Sequence, residues 1–359
     1  GRMPTNGVPL YRAAETAVLT APTRRLGPAG RPDALPIPTA ANERFGAAAR
    51  RLGYRPNALS TGLRTGTTRT LGFVSDSVAS SQLAGEMIRG SIEAARARGY
   101  MVFVGETSGD AQLERDLLDA MSDRQVDGVI LASMLTHARV MPDAAARLPT
   151  VLLNIEPEVD AGLVRVLPDE FRAGQEAARL LVETGHRRIH LIGVGDDPAR
   201  AHPFALAAAQ RLRGILSVLG EAGLAVASAQ AATQWLPPEG FRLASAMLER
   251  GEAVDALLCF NDRLAMGAYQ ALQESGVRVP DEVSVLSFDD TPFARWLRPG
   301  LTTFAFPQRA LGRRAADELI DLIERAEEPA VEGGADAAPG TVRLVPLPLR
   351  ERQSVADRR

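Results

Sequence analysis

Apolar runs of strand length alternate with amphipathic helical stretches from residue 70 onward. This alternation predicts an α/β fold built on doubly wound parallel sheets with helices on both faces. Two further observations support it. The chain has 359 residues, too many for one ordinary core, and the strand count is enough for two sheets. Polar residues also gather where apolar runs end, as expected if ligands bind beyond the carboxyl ends of parallel strands.

Residues 1–37 show no convincing period and are crowded with Pro, Gly, Arg and Ala, so they are unassigned and expected to be poorly ordered. Regular structure begins at Thr39, where Phe45, Ala48, Ala49 and Leu52 follow helical spacing and Gly53 fits a C-cap. A short helix restarts at Asn57, its expected N-cap, and runs to about Arg64, with Gly66-Thr67-Thr68 as a linker. Strands are expected at 70–75, 101–105, 127–132, 150–154, 163–167, 189–194, 255–260 and 283–288. Helices are expected at 83–98, 111–124, 171–185, 204–221, 238–250, 262–275 and 309–326. Residues 328–341 read as an acidic, small-residue loop, and 342–349 as one final returning strand.

The composition, 45% hydrophobic and 24% charged, is that of a soluble globular protein. A single cysteine, Cys259, excludes an internal disulfide, fits a reducing cytoplasm, and reads as a small buried strand residue. No stretch approaches the ~20 apolar residues of a membrane span, and no secretory signal is seen, so the expected location is cytoplasmic. The net charge of −3 hides a split. Residues 1–69 hold 11 Arg against Glu15, Asp33 and Glu43, whereas the rest holds 30 basic and 41 acidic residues. A basic head on an acidic body points to a polyanion met by the head alone, although a solvated basic arm would look the same. All 41 basic residues are Arg, which points to GC-rich coding rather than chemistry.

The segment Asp255 to Asp290 is the most informative. A short apolar run ends at Asn261-Asp262, a helix carries Leu264, Ala265, Ala268, Tyr269 and Leu272 on one face, and a second buried run, Val283 to Phe288, ends at Asp289-Asp290. Two strand ends bearing an amide and a carboxylate suit a ligand rich in hydroxyls.

These residues resemble the lactose-repressor/galactose-repressor (LacI/GalR) family of bacterial transcriptional regulators. Asn261-Asp262 followed by Ala265-Met266-Gly267 is similar to the family's helix start. Gly276 to Val285 is similar to its "G-x-x-V-P-x-D-(I/V)-S-V" loop, Ser287 to Asp290 to its "G-(F/Y)-D-D" strand end, and Arg298 to Thr303 to its "P-P-L-T-T". The resemblance runs from about Pro38 to the C-terminus. It implies two periplasmic-binding-protein-like subdomains around a ligand cleft, spanning 70–167 with 306–335 and 168–305 with 336–359. Ahead of them, within 38–69, it implies a remnant of a helical DNA-binding head and a hinge helix.

Residue by residue, the resemblance implies ligand contacts at Asp76 and Asn154, which end strands, and at Arg211, in an "R-x-x-G" helix start. Asn261 and Asp289 complete the polar set. Trp235 occupies a position where the family often stacks an aromatic on a sugar, with core packing an equally open reading. Asp262 and Asp290 are assigned to capping and loop structure. Carboxylates accept hydroxyl protons, a guanidinium donates to oxygens, and an aromatic face covers the C–H side of a sugar. The implied effector is therefore a sugar or sugar acid.

Tyr54 to Gly66 resembles the family's hinge, "Y-x-P-N-x-x-A-x-x-L-x-x-G", which pairs with a second subunit's hinge on operator DNA. The resemblance implies DNA contacts at Tyr54, Asn57 and Leu63, with Leu63 as the minor-groove wedge. Gly62 departs from the pattern and costs the helix roughly 1 kcal/mol relative to Ala. A larger departure lies upstream, where residues 1–37 lack the family's "V-S-x-x-T-V-S-R" recognition helix. The expectation is a frame-shifted, mis-started or decayed N-terminus and weak, non-specific binding to DNA.

Enzyme motifs are missing. No G-x-G-x-x-G follows a strand, no P-loop or G-x-S-x-G is present, and His186 and His190 lack the intervening Glu of a zinc helix. No catalytic residue, metal or cofactor is expected. The reading is an effector-responsive, homodimeric regulator that binds operator DNA and no membrane. The alternative is a soluble sugar-binding protein that has lost specific DNA binding.

Overall fold

The structure is a computed structural model describing residues 67–78, 85–200, 206–327 and 340–359. The hinge residues Tyr54, Asn57 and Leu63 lie outside the described residues, as does the unassigned segment 1–37.

The first half alternates as expected. Strand β1 (Thr70–Ser75) leads to helix α1 (Gly85–Ala97), β2 (Met101–Glu106), α2 (Ala111–Asp123), β3 (Gly128–Arg139), β4 (Thr150–Pro157) and β5 (Val164–Pro168). The chain continues through α3 (Glu170–Glu183), β6 (Ile189–Gly193), α4 (Leu206–Glu221), β7 (Ser228–Ala231), α5 (Pro237–Glu249) and β8 (Ala256–Cys259). It ends with α6 (Asp262–Glu274), β9 (Ser284–Asp289), β10 (Thr302–Ala305), α7 (Gln308–Glu327), β11 (Val342–Val345) and β12 (Leu349–Arg350).

Two six-stranded sheets result, ordered β11-β5-β4-β3-β1-β2 and β12-β10-β9-β8-β6-β7. Every pairing is parallel except β10 with β12. Buried apolar strands supply the cores. Phe73, Ile130, Leu153 and Val166 meet α1 and α7 on one face of the first sheet, and Leu118, Val129 and Leu152 fill its other face. Leu191, Leu257, Val285, Phe288 and Phe304 anchor the larger core of the second sheet.

Two differences from the sequence reading have physical causes. Strands β7 and β10 were not expected. Ser228–Ala231 lies at a sheet end and is only partly buried, so it lacks an apolar run. The stretch 342–349, expected as one strand, divides: Val342–Val345 pairs with β5 in the first sheet, and Leu349–Arg350 with β10 in the second. Residues 342–345 therefore do not belong with the second sheet, as the division at 336 had them. Pro346 and Pro348 sit between the two pieces and can donate no ladder hydrogen bond. The expected strand at 101–105 is present as β2, an end strand exposing Met101 (65%), Phe103 (45%) and Val104 (43%).

The chain crosses between the sheets three times: after β5, after β10 and after β11. Each crossing leaves a strand at its carboxyl end. The carboxyl edges of both sheets therefore face the crossings, which is where open α/β sheets hold ligands. Phe306, just beyond β10, packs against both large cores and marks the crossing floor. Its N–H donates to the Asp289 carbonyl at 3.2 Å.

Candidate functional site

On the second sheet's wall the sequence builds a tight corner at the end of β8. Asn261 leaves the strand in extended conformation and caps α6, its Oδ1 accepting from the Leu264 N–H at 2.8 Å. Its Nδ2 donates to the Trp235 carbonyl at 3.2 Å. Asp262, fully buried, accepts from the Thr291 N–H (2.6 Å) and from the hydroxyls of Thr291 and Thr303 (both 2.8 Å). It thereby ties α6 to the loop after β9 and to β10, the structural role expected of it. Burial raises its pKa, and the Thr303 and Thr291 hydrogen bonds oppose the rise.

Asp289 ends β9 with φ 109° and Asp290 follows at φ 55°, conformations that non-glycine residues seldom adopt. They are held by the Phe306 N–H on the Asp289 carbonyl and by Arg352, which donates to Asp290 at 2.6 Å. Strained backbone of this kind clusters at ligand sites. Among the described residues nothing donates a hydrogen bond to the Asp289 carboxylate, unlike those of Asp262 and Asp290. Burial, with the nearby Asp262 charge, pushes its pKa up to about 7, against the pull of Arg211.

Arg211 stands behind this floor, 4% exposed. Its placement follows from glycine. At the crossing of α3 with α4, a Cβ on Gly174 would lie 2.0 Å from the Arg211 carbonyl, and one on Gly214 2.0 Å from that of Phe171. Only two glycines allow the helices so close. The approach brings Arg211 onto Glu170: Nε and Nη2 both reach Oε2 at 2.8 Å, while Nη1 donates to the Phe260 carbonyl at 2.6 Å. The guanidinium also lies 3.9 Å above the Phe288 ring. Glu170 Oε1 has no partner, and burial raises this carboxyl's pKa against the lowering effect of Arg211.

Trp235 packs edge-on to Phe260 at 6.0 Å and donates from Nε1 to the Gly193 carbonyl at 3.1 Å. It remains half-buried. Arg263, beside the cap, makes neither a hydrogen bond nor an ion pair, and its Nε is buried without a partner.

On the first sheet's wall, Asp76 and Asn154 meet through the stretch after the buried part of β3. Asp76 accepts from the Ser133 hydroxyl (2.6 Å) and the Met134 N–H (3.1 Å). Asn154, buried, donates to the carbonyls of Ser133 (3.0 Å) and Met134 (3.1 Å) and accepts from Thr136.

All six candidates thus sit at the carboxyl edges. Arg211, Trp235, Asn261 and Asp289 are interlocked on one wall, and Asp76 and Asn154 are joined on the other. Sequence reasoning missed Glu170, Arg263 and Phe306. Glu170 is the first residue of α3, but nothing local signals its partner 41 positions away. Among the described residues no cluster of His, Cys, Asp and Glu could hold a metal ion, and no helix is long and apolar enough to cross a membrane.

Known proteins agree with this architecture. A family profile described as a periplasmic binding protein-like domain matches residues 178–355. The HTH-type transcriptional repressor PurR of Vibrio atlanticus (strain LGP32) is 28% identical over 297 residues, covering 80% of this chain and 84% of the relative. A putative LacI-family transcriptional regulator from Rhizobium etli superposes with a TM-score of 0.68 at 28% identity, over 80% of this chain and 99% of its own. A cellobiose complex of the transcriptional regulator CelR gives a TM-score of 0.60 at 25% identity, over 89% and 92% of the two chains. With the motifs at Asn261, Gly276 to Val285 and Asp289 in their places on this fold, the chain is similar over most of its length to LacI-family transcriptional regulators and carries their periplasmic-binding-protein-like core.

Proposed function

We propose that this regulator takes a sugar or sugar acid between the two walls, and that closure on it changes how a homodimer presents its hinge to operator DNA. The observation carrying the reading is the half-buried Asp289 carboxylate, set on strained backbone and without a hydrogen bond among the described residues, with Arg263, likewise unpaired among them, near Asn261 on the same wall. An acceptor and a donor left unspent this way match hydroxyl and carboxylate groups of a polyhydroxylated ligand. Half-buried Trp235 adds an apolar face at the same edge. The cellobiose-bound CelR relative supports the ligand class, and the PurR relative supports the DNA partner. A second copy of the chain would cover the apolar end strand β2, which is too exposed for a lone subunit. The reading places the regulator in the cytoplasm, where it meets both DNA and effector.

Thermal melts of the full chain against a panel of monosaccharides, disaccharides and sugar acids test this. A ligand at 100 times its dissociation constant adds about 2.7 kcal/mol of stability. For any ligand found, Asp289→Ala weakens binding by roughly 1.5–3 kcal/mol in calorimetry, because a charged hydrogen-bonding partner is lost. Unchanged affinity in that variant removes Asp289 from the site.

A further inference from the structure

Three carboxylates and two guanidiniums crowd the floor of the second wall: Glu170 on α3, Arg211 on α4, Asp262 and Arg263 on α6, and Asp289 at the end of β9. Their hydrogen bonds are unequally shared. Asp262 receives three donors and Glu170 two from Arg211, and these hydrogen bonds oppose the rise that burial gives each pKa. The neighbouring Asp290 is bonded by Arg352 and lies 3.6 Å from Arg350. Asp289 receives none. With all three carboxylates ionised the cluster would hold one more negative charge than positive, and the excess falls on the one of the three that no hydrogen bond among the described residues stabilises.

We infer that the Asp289 carboxyl carries a proton before effector binds, and that an effector hydroxyl donating to it drives that proton into solvent, so that effector affinity rises with pH. The inference rests on reading Asp289 as an effector contact. The step balances simply: the carboxyl O–H bond breaks, the proton passes to bulk water, and the carboxylate accepts the hydroxyl's hydrogen bond. The direction in which burial and Asp262 push this carboxyl, up to about 7, agrees. Only the ionised fraction is competent, so apparent affinity scales with it. A neutral sugar therefore binds about ten-fold more weakly near pH 6 than near pH 8. The regulator would then release or hold DNA at an effector level set jointly with cytoplasmic pH.

Infrared spectroscopy of the full ligand-free chain tests the proton directly. Expected is a protonated-carboxyl band that shifts on ¹³C-aspartate labelling, titrates away with a midpoint near 7, and is absent from Asp289→Asn. A band that survives in Asp289→Asn places the proton on another aspartate and overturns the inference, as does no band near neutral pH. The linkage is read on unaltered protein by titrating D-ribose, D-glucose, D-galactose and cellobiose at about pH 6 and about pH 8 in buffers of different ionisation enthalpy. Proton release with the ten-fold gain is expected. Equal affinities, or proton uptake, overturn it. If none of the four sugars binds, the sugar reading of the cleft falls, while the carboxyl band still decides where the proton sits.

Discussion

Replacing Arg211 by Met separates the roles of charge and packing at the site's floor. Arg211 and Glu170 side chains are 5% and 4% exposed, so neither can recover its lost hydration. Methionine fills most of the volume over Phe288 but leaves Glu170 buried with no donor on either oxygen, since Oε1 already has none. Breaking a buried pair by removing one partner costs roughly 3–5 kcal/mol. The orphaned Phe260 carbonyl adds about 1 kcal/mol. The double variant Glu170→Leu/Arg211→Met removes the stranded charge and should recover most of the loss, because apolar replacements of buried pairs are often neutral. The cost also depends on pH. Burial already raises the Glu170 pKa, and without Arg211 it rises further. A carboxyl raised in the folded state keeps its stability contribution below its unfolded pKa and loses it as pH climbs through the folded value. The deficit of Arg211→Met is therefore largest at neutral and alkaline pH and shrinks toward about pH 4. Urea unfolding at two pH values, compared at constant slope, measures this. A single-variant cost under about 1 kcal/mol, a double variant that loses the sum of both, or a pH-independent deficit would each show that the pair is not the buried strut described.

Two further expectations follow from other parts of the fold. Asp255 is held at about 2: burial would raise it, but Arg188 and the backbone N–H groups of Arg187 and Arg188 hydrogen-bond its carboxylate and outweigh that. The stability it contributes is present above about pH 4 and is lost as pH falls through 2. Asp255→Asn should thus cost about 2 kcal/mol at neutral pH and flatten the acid limb of the stability curve, whereas an unchanged limb would refute the assignment. Phe103→Asp puts a charge on the exposed apolar strand β2, and light scattering on the full chain should report a shift from dimer to monomer at micromolar concentration. A variant that stays dimeric moves the proposed interface elsewhere.

The sheets were legible where strands are buried on both faces. Leu257, Leu258, Val285 and Leu286 lie in unbroken, fully buried apolar runs of strand length, too short for an ordinary helix. Legibility failed where pairing is by backbone alone. Ser228–Ala231 has no apolar signal and is a strand because β6 offers it a ladder. The split of 342–349 was readable in principle, since Pro346 and Pro348 interrupt it. What could not be read was that its halves serve different sheets. That is decided by the strands already waiting at each edge, β5 and β10.

At the site, residue type located the candidates but could not say which remain free to meet a ligand. Asn154 and Asn261 look alike as ligand contacts, yet their amides are engaged: Asn154 holds the stretch 133–136, and Asn261 caps α6 and holds the Trp235 carbonyl. Changing either would act first through the loop or helix it secures. Asp289 and Arg263 carry the opposite account, with hydrogen-bonding capacity that the chain leaves unused. An amide and a carboxylate are equally plausible partners on paper, and only the census of donors and acceptors separates a group that builds the wall from one that faces the ligand. By that census the unspent hydrogen-bonding capacity among the described candidates lies on the second wall, at Asp289 and Arg263. On the first wall the Asp76 carboxylate is already engaged, accepting from Ser133 and Met134.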